Sequence, residues 1–565
     1  MEKRYRTPFV IFPTYSEIFE KGEKEVINQL SKEGLAEKLI IYSSCISSLL
    51  YTEHIQGILV QTIIMREFKD VLCNTKEGRK ILDWLLSHKL SSLNVNIFTM
   101  MSVFEILLNN RKGICEDLSL TDEEKLLYLK LILLANERRI NKLKDFHITI
   151  QEAVTEETFL YGKWFWPILL AESDVNETLN AGYEMFRLKS IIDYIIVHYP
   201  DAKDIVKDFF QERGFDGYIS YATCFFTIYL DYITNFTNNG VLRTGIAENE
   251  QARKLLMPII ANTQKIDTFL DLKSHPLYYY QNAYYVLNWS YLLSQIFVGT
   301  FMSLERELRK IGISDLKKEA GTIMEKTLFK NVLVNSFSKI WQKWAFDEAG
   351  GDKPDAIFQM GNHLFIIELK DRLMDEGTME SLDFKCIEKH FRESFIEKVV
   401  QEKGKVKVRK KGIRQLASYI KNYCNGEYKE FPYNRKLNIY PIIVYTDYKY
   451  RLNGLNHYLS EEFDAIIDKD DNLSSIKRRI RPMTMIGLDC FFDLQEKFQK
   501  KNVKLADAID NYHRHNKLFA KRYSDKGVEK YSQLYPSFER YLPENHHFLM
   551  PFEEMKSVFK SFFFE

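Results

Sequence analysis

The sequence has no cysteine pair in the C-x-x-C spacing that zinc knuckles use. Its seven cysteines are scattered along the chain as Cys45, Cys73, Cys115, Cys224, Cys386, Cys424 and Cys490. Neither a zinc knuckle nor a disulfide framework follows from this spacing, and a reducing cytoplasmic location is expected. A charge excess is also missing, because 79 basic residues face 78 acidic ones and leave a formal net charge of +1. A surface that binds nucleic acid would therefore have to be a local basic patch.

Segments that would mark a secreted or membrane protein are missing too. The N-terminal apolar run is brief and interrupted by prolines, so no signal peptide is readable. Residues 274–304 contain no Asp, Glu, Lys or Arg, and this stretch is long enough to span a bilayer. It also contains Pro276, Gln281, Asn282 and further polar groups, which are costly in lipid. We predict a buried helix here and no membrane association.

The length and composition predict a multidomain protein. A chain of 565 residues exceeds one ordinary core, and 45% hydrophobic residues suffice for packed interiors. Residues 35–64, 93–108, 123–134 and 190–209 show apolar residues at mixed three- and four-residue spacing, which is typical of core-facing helices. Residues 1–300 contain only isolated histidines and no phosphate-binding glycine loop. We predict a mostly α-helical domain over 1–300 that senses, regulates or binds a protein partner.

The stretch Lys353–Asp371 (KPDAIFQMGNHLFIIELKD) predicts a hairpin with unusual polar residues. Gly361-Asn362 is a two-residue turn signal, since both residue types tolerate positive φ. If these two form the loop, Met360 pairs with His363, and counting outward pairs Asp355 with Glu368. Opposed side chains on one face of a hairpin lie roughly 4.5–5.5 Å apart at Cβ. Lys370 points to the same face, because strand side chains alternate.

Two opposed carboxylates in this setting require a compensating charge. The neighbouring residues are apolar without alternation, as in a strand buried on both faces, so the two like charges repel at a high cost. Carboxylate oxygens are the ligands that Mg²⁺ and Mn²⁺ prefer. We interpret Asp355 and Glu368 as ligands of such a cation and Lys370 as a group that positions the attacking water. The alternative is a surface hairpin in which Glu368 and Lys370 form an ordinary ion pair.

These residues also carry a family resemblance. Pro354-Asp355 followed by Glu368-Leu369-Lys370 resembles the PD-(D/E)xK nuclease superfamily. Upstream, Gly321 to Glu325 resembles the helix that supplies a further acidic metal ligand in many members, which assigns Glu325 to the metal site. Downstream, Gln415 and Tyr419 resemble the Q-x-x-x-Y helix of the RecB-like branch, which assigns them to the catalytic set. Either helix could equally be an ordinary polar or charged helix face. The resemblance covers roughly residues 315–490.

The resemblance implies an α/β restriction-endonuclease-like domain with a mixed central sheet over 301–490. Strands are predicted near 340–346, 437–445 and 483–488, with Pro441 placing the second of these at an edge or a kink. Residues 371–414 form a basic insertion, in which an apolar stripe from Phe384 to Val399 predicts a helix. Residues 491–565 are predicted to be a helical, aromatic-rich extension.

The end of the insertion, QEKGKVKVRKKGIR, is strongly basic. Lysine and arginine release condensed counterions when they contact phosphates. We therefore interpret this run as a nucleic-acid-binding track that leads into the helix of Gln415, rather than as a merely solvated face. The track comprises Lys405, Lys407, Arg409, Lys410, Lys411 and Arg414.

Taken together, the sequence predicts an Mg²⁺- or Mn²⁺-dependent nuclease. DNA is the favoured substrate, because the superfamily that the chain resembles mostly acts on DNA. A large helical domain joined to such a nuclease resembles bacterial anti-phage or restriction-type effectors. Cleavage of RNA or tRNA is the second possibility, because the same metal chemistry works there. The third is a non-enzymatic helical interaction protein with a degenerate nuclease scaffold.

Overall fold

The structure is a computed structural model. It describes residues 13–19, 22–56, 60–90, 92–93, 95–153, 166–167, 169–170, 181–239, 245–262, 266, 269–313, 324–347, 353–372, 374, 378, 383–402, 405–523 and 535–546. Within these ranges only the backbone is described at 52–56, 139–140, 142–153, 181, 230–239, 270, 296–297, 324–326, 402, 519–523 and 543–546.

The chain divides into two compact units. The first, called here the helical unit, contains the described residues of 13–145 and 181–313. The second, called the sheet unit, contains the described residues of 146–170 and 324–546. Part of the first half of the chain therefore belongs to the same unit as the predicted nuclease residues.

Helices dominate the chain before residue 315. In order they are α1 (Tyr15–Phe19), α2 (Glu23–Gln29), α3 (Leu35–Gln56), α4 (Val60–Glu67), α5 (Lys69–Asn74), α6 (Lys76–Ser87), α7 (Ile97–Leu108), α8 (Asp122–Ala153), α9 (Ala181–His198), α10 (Ala202–Glu212), α11 (Tyr218–Asn239), α12 (Glu250–Leu256), α13 (Phe269–Ser274), α14 (Trp289–Ser294) and α15 (Thr300–Lys310). Asparagine caps begin two of the buried ones. Asn96 accepts a hydrogen bond from the Thr99 amide at 2.8 Å, and Asn288 accepts one from the Tyr291 amide at 2.9 Å. A short side-chain acceptor at this position satisfies an otherwise unpaired amide of the first turn.

The uncharged stretch 274–304 is not one buried helix, so that prediction is wrong. It begins with a hairpin of β2 (Leu277–Tyr280) and β3 (Ala283–Val286), and β1 (Ile246–Ala247) pairs with β3. Gln281 and Asn282 form the turn with φ values of 45° and 60°, as a type I′ hairpin requires. Aromatic residues favour the flanking strands, and α14 begins only after Asn288. No helix within the described residues is both long and apolar enough to cross a membrane.

The remaining elements lie in the sheet unit. In order they are α16 (Lys330–Phe337), β4 (Lys343–Phe346), β5 (Ala356–Met360), β6 (His363–Lys370), α17 (Phe384–Phe395), β7 (Glu397–Glu402), β8 (Lys405–Lys410), α18 (Gly412–Cys424), β9 (Asn438–Tyr445), α19 (Leu455–Asp468), α20 (Asp471–Ser474), β10 (Thr484–Gly487), α21 (Leu488–Gln499), α22 (Leu505–Tyr523) and α23 (Phe538–His546). Short π-helical turns occur at Gln295–Gly299 and Met324–Phe329, and 3₁₀ turns at Met257–Ile259, Tyr448–Tyr450 and Lys477–Arg479. The last residues of the predicted C-terminal extension, 547–565, lie outside the described residues.

Among the described residues, the sheet unit is built on a mixed five-stranded sheet. Its strand order is β10-β9-β6-β5-β4. Strand β5 runs antiparallel to its neighbours β4 and β6, whereas β9 is parallel to β6 and β10 is parallel to β9. A mostly helical first half followed by a mixed sheet confirms the coarse fold class predicted from the sequence.

The β5–β6 hairpin has the predicted register. Met360 pairs with His363, and the ladder continues to Ala356 and Ile367. Of the two turn residues only Gly361 has positive φ, at 57°. Positive φ at the first central residue alone is the pattern of a type II′ turn, which places glycine at that position.

The core on one face of the sheet combines aliphatic and aromatic side chains, and α18 contributes to it. Ile357 and Ile366 of the hairpin are buried in the same cluster as Leu416 of α18. Trp166, from the first half of the chain, completes this core. Its ring lies 5.0 Å from that of Phe391, and its indole N–H donates to the Asn453 carbonyl at 3.2 Å.

Pro441 lies in an interior strand, so the prediction of an edge position is wrong. β9 is flanked by β6 and β10. Its ladder with β10 begins at Ile442, paired with Thr484, one residue after the proline. Proline lacks a backbone donor, and its position before this ladder lets β9 remain interior.

The basic insertion contains a helix and a two-stranded ribbon. The predicted apolar stripe is correct for α17, in which Phe384, Ile387, Phe391 and Phe395 are buried. It is wrong at Val399, which lies in β7 and is 60% exposed. β7 pairs antiparallel with β8, and each residue of β8 is exposed.

Candidate active site

The two predicted carboxylates lie at the open end of the β5–β6 ladder. Asp355 and Glu368 each come one residue beyond the last ladder pair. Asp355 Oδ2 accepts a hydrogen bond from the Leu369 amide at 2.5 Å. This bond holds the aspartate against β6, directly beside Glu368. The structure thus brings together the two residues that the turn register placed opposite one another.

Lys370 is held between Glu368 and α18. Its ammonium donates to Glu368 Oε1 at 2.5 Å and to Gln415 Oε1 at 2.8 Å. The Lys370 and Glu368 side chains are only 13% and 5% exposed. Two opposite charges in so little water interact more strongly than a surface pair would. The amide of Gln415 fixes the ammonium without adding charge of its own.

Tyr419 lies one helical turn from Gln415 on the same face of α18. Gln415 Nε2 donates to the Tyr419 hydroxyl at 3.3 Å. Burial raises the pKa of the Tyr419 phenol far above its ordinary value, and the negative charges of Glu368 and Asp355 raise it further. The phenol is therefore neutral and faces both carboxylates. Hydrogen bonds link Glu368, Lys370, Gln415 and Tyr419, and the charge of Asp355 acts on Tyr419 as well. The catalytic role of these five residues stays a prediction.

One atom of the site is conspicuous because it is buried without a well-formed hydrogen bond. Glu368 Oε2 accepts no hydrogen bond of ordinary length and angle from the described residues, although the Tyr419 phenol interacts with the same carboxylate. A buried carboxylate oxygen without a well-placed donor is costly, and a bound cation would compensate it. The oxygen donors of Asp355 and Glu368 suit Mg²⁺ or Mn²⁺. The residues present therefore fit the cation that the sequence predicts.

A third protein ligand is not seen in the described part of the chain. There, no group of three or more His, Cys, Asp or Glu side chains comes close enough to hold a metal ion. Glu325, the predicted additional ligand, lies in the turn Met324–Phe329, but its side chain is outside the described residues. Its assignment to the metal site stays a prediction. Mg²⁺ commonly takes one or two carboxylates and fills its remaining positions with water and phosphate.

The predicted basic track is largely exposed, and its contacts with the rest of the protein include those of Lys410 and Arg414. Lys410 and Arg414 are engaged within the protein, since Lys410 donates to Ser418 at 2.9 Å and Arg414 pairs with Glu397 at 3.1 Å. Lys405, Lys407, Arg409 and Lys410 all lie on β8 and are exposed.

Lys411 is close to the site. Burial lowers the pKa of its ammonium, and the charge of Lys370 lowers it further. The track therefore leads from the exposed ribbon to the edge of the carboxylate cluster.

A cleft beside Pro354 was not foreseen from the sequence. It has a volume of about 710 Å³, and its lining includes Lys353, Pro354 and Trp344. The Trp344 ring is 52% exposed and stacks on Trp341 with centroids 4.9 Å apart. Trp344 lies on the edge strand β4. An exposed tryptophan cannot be told from a buried one by sequence, because only the strand order reveals that β4 is at the edge.

Comparison of the chain with protein-family models, with curated proteins and with solved structures yielded no match. The family resemblance therefore rests on the motif residues and their order along the chain.

Proposed function

We propose that the chain is an Mg²⁺- or Mn²⁺-dependent nuclease that hydrolyses phosphodiester bonds, with DNA as the favoured substrate. One observation supports this most directly. Glu368 is buried beside the Tyr419 phenol, one of its oxygens accepts no hydrogen bond of ordinary length and angle from the described residues, and the other is bonded to an ammonium that Gln415 also holds. A purely structural ion pair would gain by satisfying both oxygens, whereas a cation site needs one oxygen available.

Asp355 and Glu368 would hold the cation. A bound Mg²⁺ or Mn²⁺ ion favours ionisation of water and offsets the negative charge that develops on a phosphate. Asp355 is fixed for this role by the Leu369 amide, and Glu368 by Lys370. Two anchored ligands supply the geometry that a hard cation requires.

In this proposal, Lys370 acts directly on the reacting water or phosphate. Its ammonium carries three donors, of which Glu368 and Gln415 use two. The third can orient a water molecule or a phosphate oxygen, and the charge stabilises the transition state of in-line displacement. Gln415 keeps the ammonium in place. Tyr419 is a neutral donor near both carboxylates, and its high pKa keeps it protonated at any pH at which the protein would work.

The order of elements also supports a restriction-endonuclease-like fold. A helix precedes β4, the hairpin carries Asp355 and Glu368, α18 carries Gln415 and Tyr419, and β9 follows. This is the order that the motif resemblance implies. In this proposal, the helical unit senses a signal or binds an activator. The protein would act in bacterial defence against phage. That biological setting rests on analogy with effectors of similar domain order.

The test is cleavage of labelled nucleic acid by the purified full chain. Linear and supercoiled DNA, single-stranded DNA, RNA and tRNA would each be incubated with Mg²⁺, with Mn²⁺ or with EDTA. We expect cleavage of DNA that requires the cation. Cleavage of RNA or tRNA alone would support metal-dependent phosphodiester hydrolysis and refute DNA as the substrate. Absence of cleavage of all substrates, with phage-infected cell extract added as a source of activator, would favour the scaffold alternative.

Matched variants connect any cleavage to this site. Glu368→Gln keeps the shape of the side chain and removes its charge, and Lys370→Ala removes the ammonium. Glu461→Gln and Lys436→Ala change exposed residues of the same unit and are the controls. We expect the first two to lower kcat by at least about 100-fold, the order that a loss of about 2.7 kcal/mol in transition-state stabilisation gives. Normal cleavage by both would show that the site is misassigned.

A further inference from the structure

The β7–β8 ribbon has the most exposed paired strands in the sheet unit. Its strands contain six residues each, which corresponds to a length of about 20 Å at the usual rise per residue. Within the described residues, β7 and β8 pair only with each other. A two-stranded ribbon cannot build a core of its own. Its exposed residues therefore lie where an external partner can contact them.

The register gives the ribbon two chemically different faces. Because side chains alternate along a strand, Lys405, Lys407 and Arg409 share one face. Their cross-strand partners are Glu402, Val400 and Lys398, in that order. This face, called here the cationic face, thus carries four basic residues and one acidic residue.

The opposite face, called here the valine face, carries three valines and, at the base of the ribbon, the pair Lys410–Glu397. Val408 pairs with Val399, and Val406 pairs with Gln401. The three valines are 52%, 60% and 68% exposed for Val408, Val399 and Val406. Two faces of one ribbon, one with four basic residues and one without net charge, let an experiment test which of them a partner contacts.

The base of the ribbon is fixed next to the candidate active site. The Lys411 amide donates to the Ile396 carbonyl at 2.9 Å, which closes the ribbon just before α18. Gly412 follows with φ of 35°, and a Cβ atom there would lie 2.5 Å from the Phe395 carbonyl oxygen. Only glycine allows this close approach. The ribbon therefore projects from a defined point, three residues before Gln415.

We propose that the cationic face of the β7–β8 ribbon enters the major groove of a B-form DNA duplex and thereby selects duplex DNA over duplex RNA. This inference deepens the proposed function and rests on it. The B-DNA major groove is about 12 Å wide and admits a two-stranded β-ribbon. The A-form RNA major groove is deep and narrow, and side chains cannot read it.

Charge complementarity favours DNA over a protein as the occupant of this face. Four basic side chains at alternate positions of two paired strands match the dense negative charge of a duplex. Lysine and arginine also make the commonest specific contact in the major groove, with the guanine edge. A groove contact that starts beside Lys411 would bring a phosphate of the same duplex toward Lys370.

Binding in the presence of EDTA tests this inference separately from cleavage. The full chain would be titrated with a duplex DNA of about 20 base pairs, with duplex RNA of the same sequence and with single-stranded DNA, by fluorescence anisotropy at several salt concentrations. We expect duplex DNA to bind at least tenfold more tightly than duplex RNA. Equal binding of the two duplexes, or tighter binding of RNA, would overturn the inference.

Two triple variants of the same ribbon provide the matched comparison. Lys405→Ala/Lys407→Ala/Arg409→Ala should weaken binding of duplex DNA at least tenfold. It should also reduce the slope of log K against log salt by up to about 0.9 for each phosphate that the variant no longer neutralises. Val399→Ser/Val406→Ser/Val408→Ser should change the affinity by less than twofold, and so should Lys436→Ala outside the ribbon.

Each outcome has a definite meaning. An unchanged affinity of the cationic-face variant would refute the inference even if the wild-type chain cuts DNA, so the proposed function would stand alone. If binding follows the expected pattern but no nucleic acid is cleaved, the role of the ribbon in binding duplex DNA stands and the proposed nuclease activity is refuted. A weaker affinity of the valine-face variant, accompanied by a lower mass in solution, would assign the ribbon to contact between two copies of the chain and overturn its role in the groove.

Discussion

Substituting Lys370 by methionine should reveal whether Glu368 belongs to a cation site. Methionine retains most of the apolar stem, so packing changes little. The ammonium that bonds Glu368 Oε1 at 2.5 Å is removed, and the carboxylate, 5% exposed, keeps its charge without a positive partner. Removing one partner of a buried ion pair costs about 3–5 kcal/mol. We expect a decrease of this order in the opening free energy of the β5–β6 hairpin when no divalent cation is present.

Saturating Mg²⁺ or Mn²⁺ should restore most of this stability. A cation bound by Asp355 and Glu368 supplies the positive charge that the lysine no longer provides. The difference between variant and wild type should then fall to about 1 kcal/mol or less. The double variant Glu368→Gln/Lys370→Met removes both charges, so it should be less destabilised than Lys370→Met alone and should not respond to the cation.

Hydrogen exchange measured by mass spectrometry is the suitable assay. Peptides within residues 353–371 report the opening free energy of the hairpin itself, whereas global unfolding of a two-unit chain need not be a single transition. Lys436→Met, an exposed position of the same unit, is the control and should change the value by less than about 0.5 kcal/mol. If Lys370→Met is equally destabilised with and without the cation, Glu368 and Lys370 are only a structural ion pair, and the reasoning fails.

Three further changes test other parts of the structure. Gln415→Leu should lower kcat about 10- to 100-fold, because Lys370 loses the acceptor that orients it. A melting temperature close to that of wild type would separate this effect from misfolding. Gly361→Ala should lower the free energy of unfolding of the sheet unit by about 1–2 kcal/mol, since the turn needs φ of 57°. Apart from the two chain neighbours, no atom of the described residues lies within 4 Å of the added methyl group, so the cost comes from the backbone conformation alone. A urea titration showing no decrease would contradict the turn assignment. Burial lowers the pKa of His457 to about 4, so its imidazole stays neutral in the folded protein while the unfolded chain takes up a proton near pH 6.5. Stability should therefore fall by about 3 kcal/mol between pH 6.5 and pH 4, and His457→Gln should reduce that fall in calorimetric scans; an identical pH dependence of both proteins would refute the assignment.

The parts of the site that follow from local geometry could be predicted from sequence. A two-residue turn at Gly361-Asn362 fixes the register, and simple counting then places Asp355 beside Glu368. The helical spacing of Gln415 and Tyr419 likewise puts both on one face of α18. That this face meets Lys370 depended on tertiary packing, and only the family resemblance gave a reason to expect it.

Some strands and turns cannot be assigned from the sequence with certainty, although the sequence contains a local signal for them. Lys405–Lys410 alternates basic and apolar residues, which is the period of a strand, but its high charge is equally typical of a solvated or phosphate-binding segment. In residues 277–286 the paired strands surround Gln281-Asn282, a turn without glycine, so the positive φ values were not evident. Pro441 suggested an edge strand because sequence does not show where the neighbouring ladder begins.

The presence of Trp166 in the core of the sheet unit has a practical consequence for producing fragments of this protein. Its indole ring is fully buried against α17 and bonded to Asn453, although 287 positions along the chain separate these two residues. A recombinant piece starting at residue 301 would include each predicted catalytic residue and still lack the side chain that fills this space. Such a piece should come out insoluble or loosely folded, and adding a peptide that spans Trp166 and Leu170 should improve its yield.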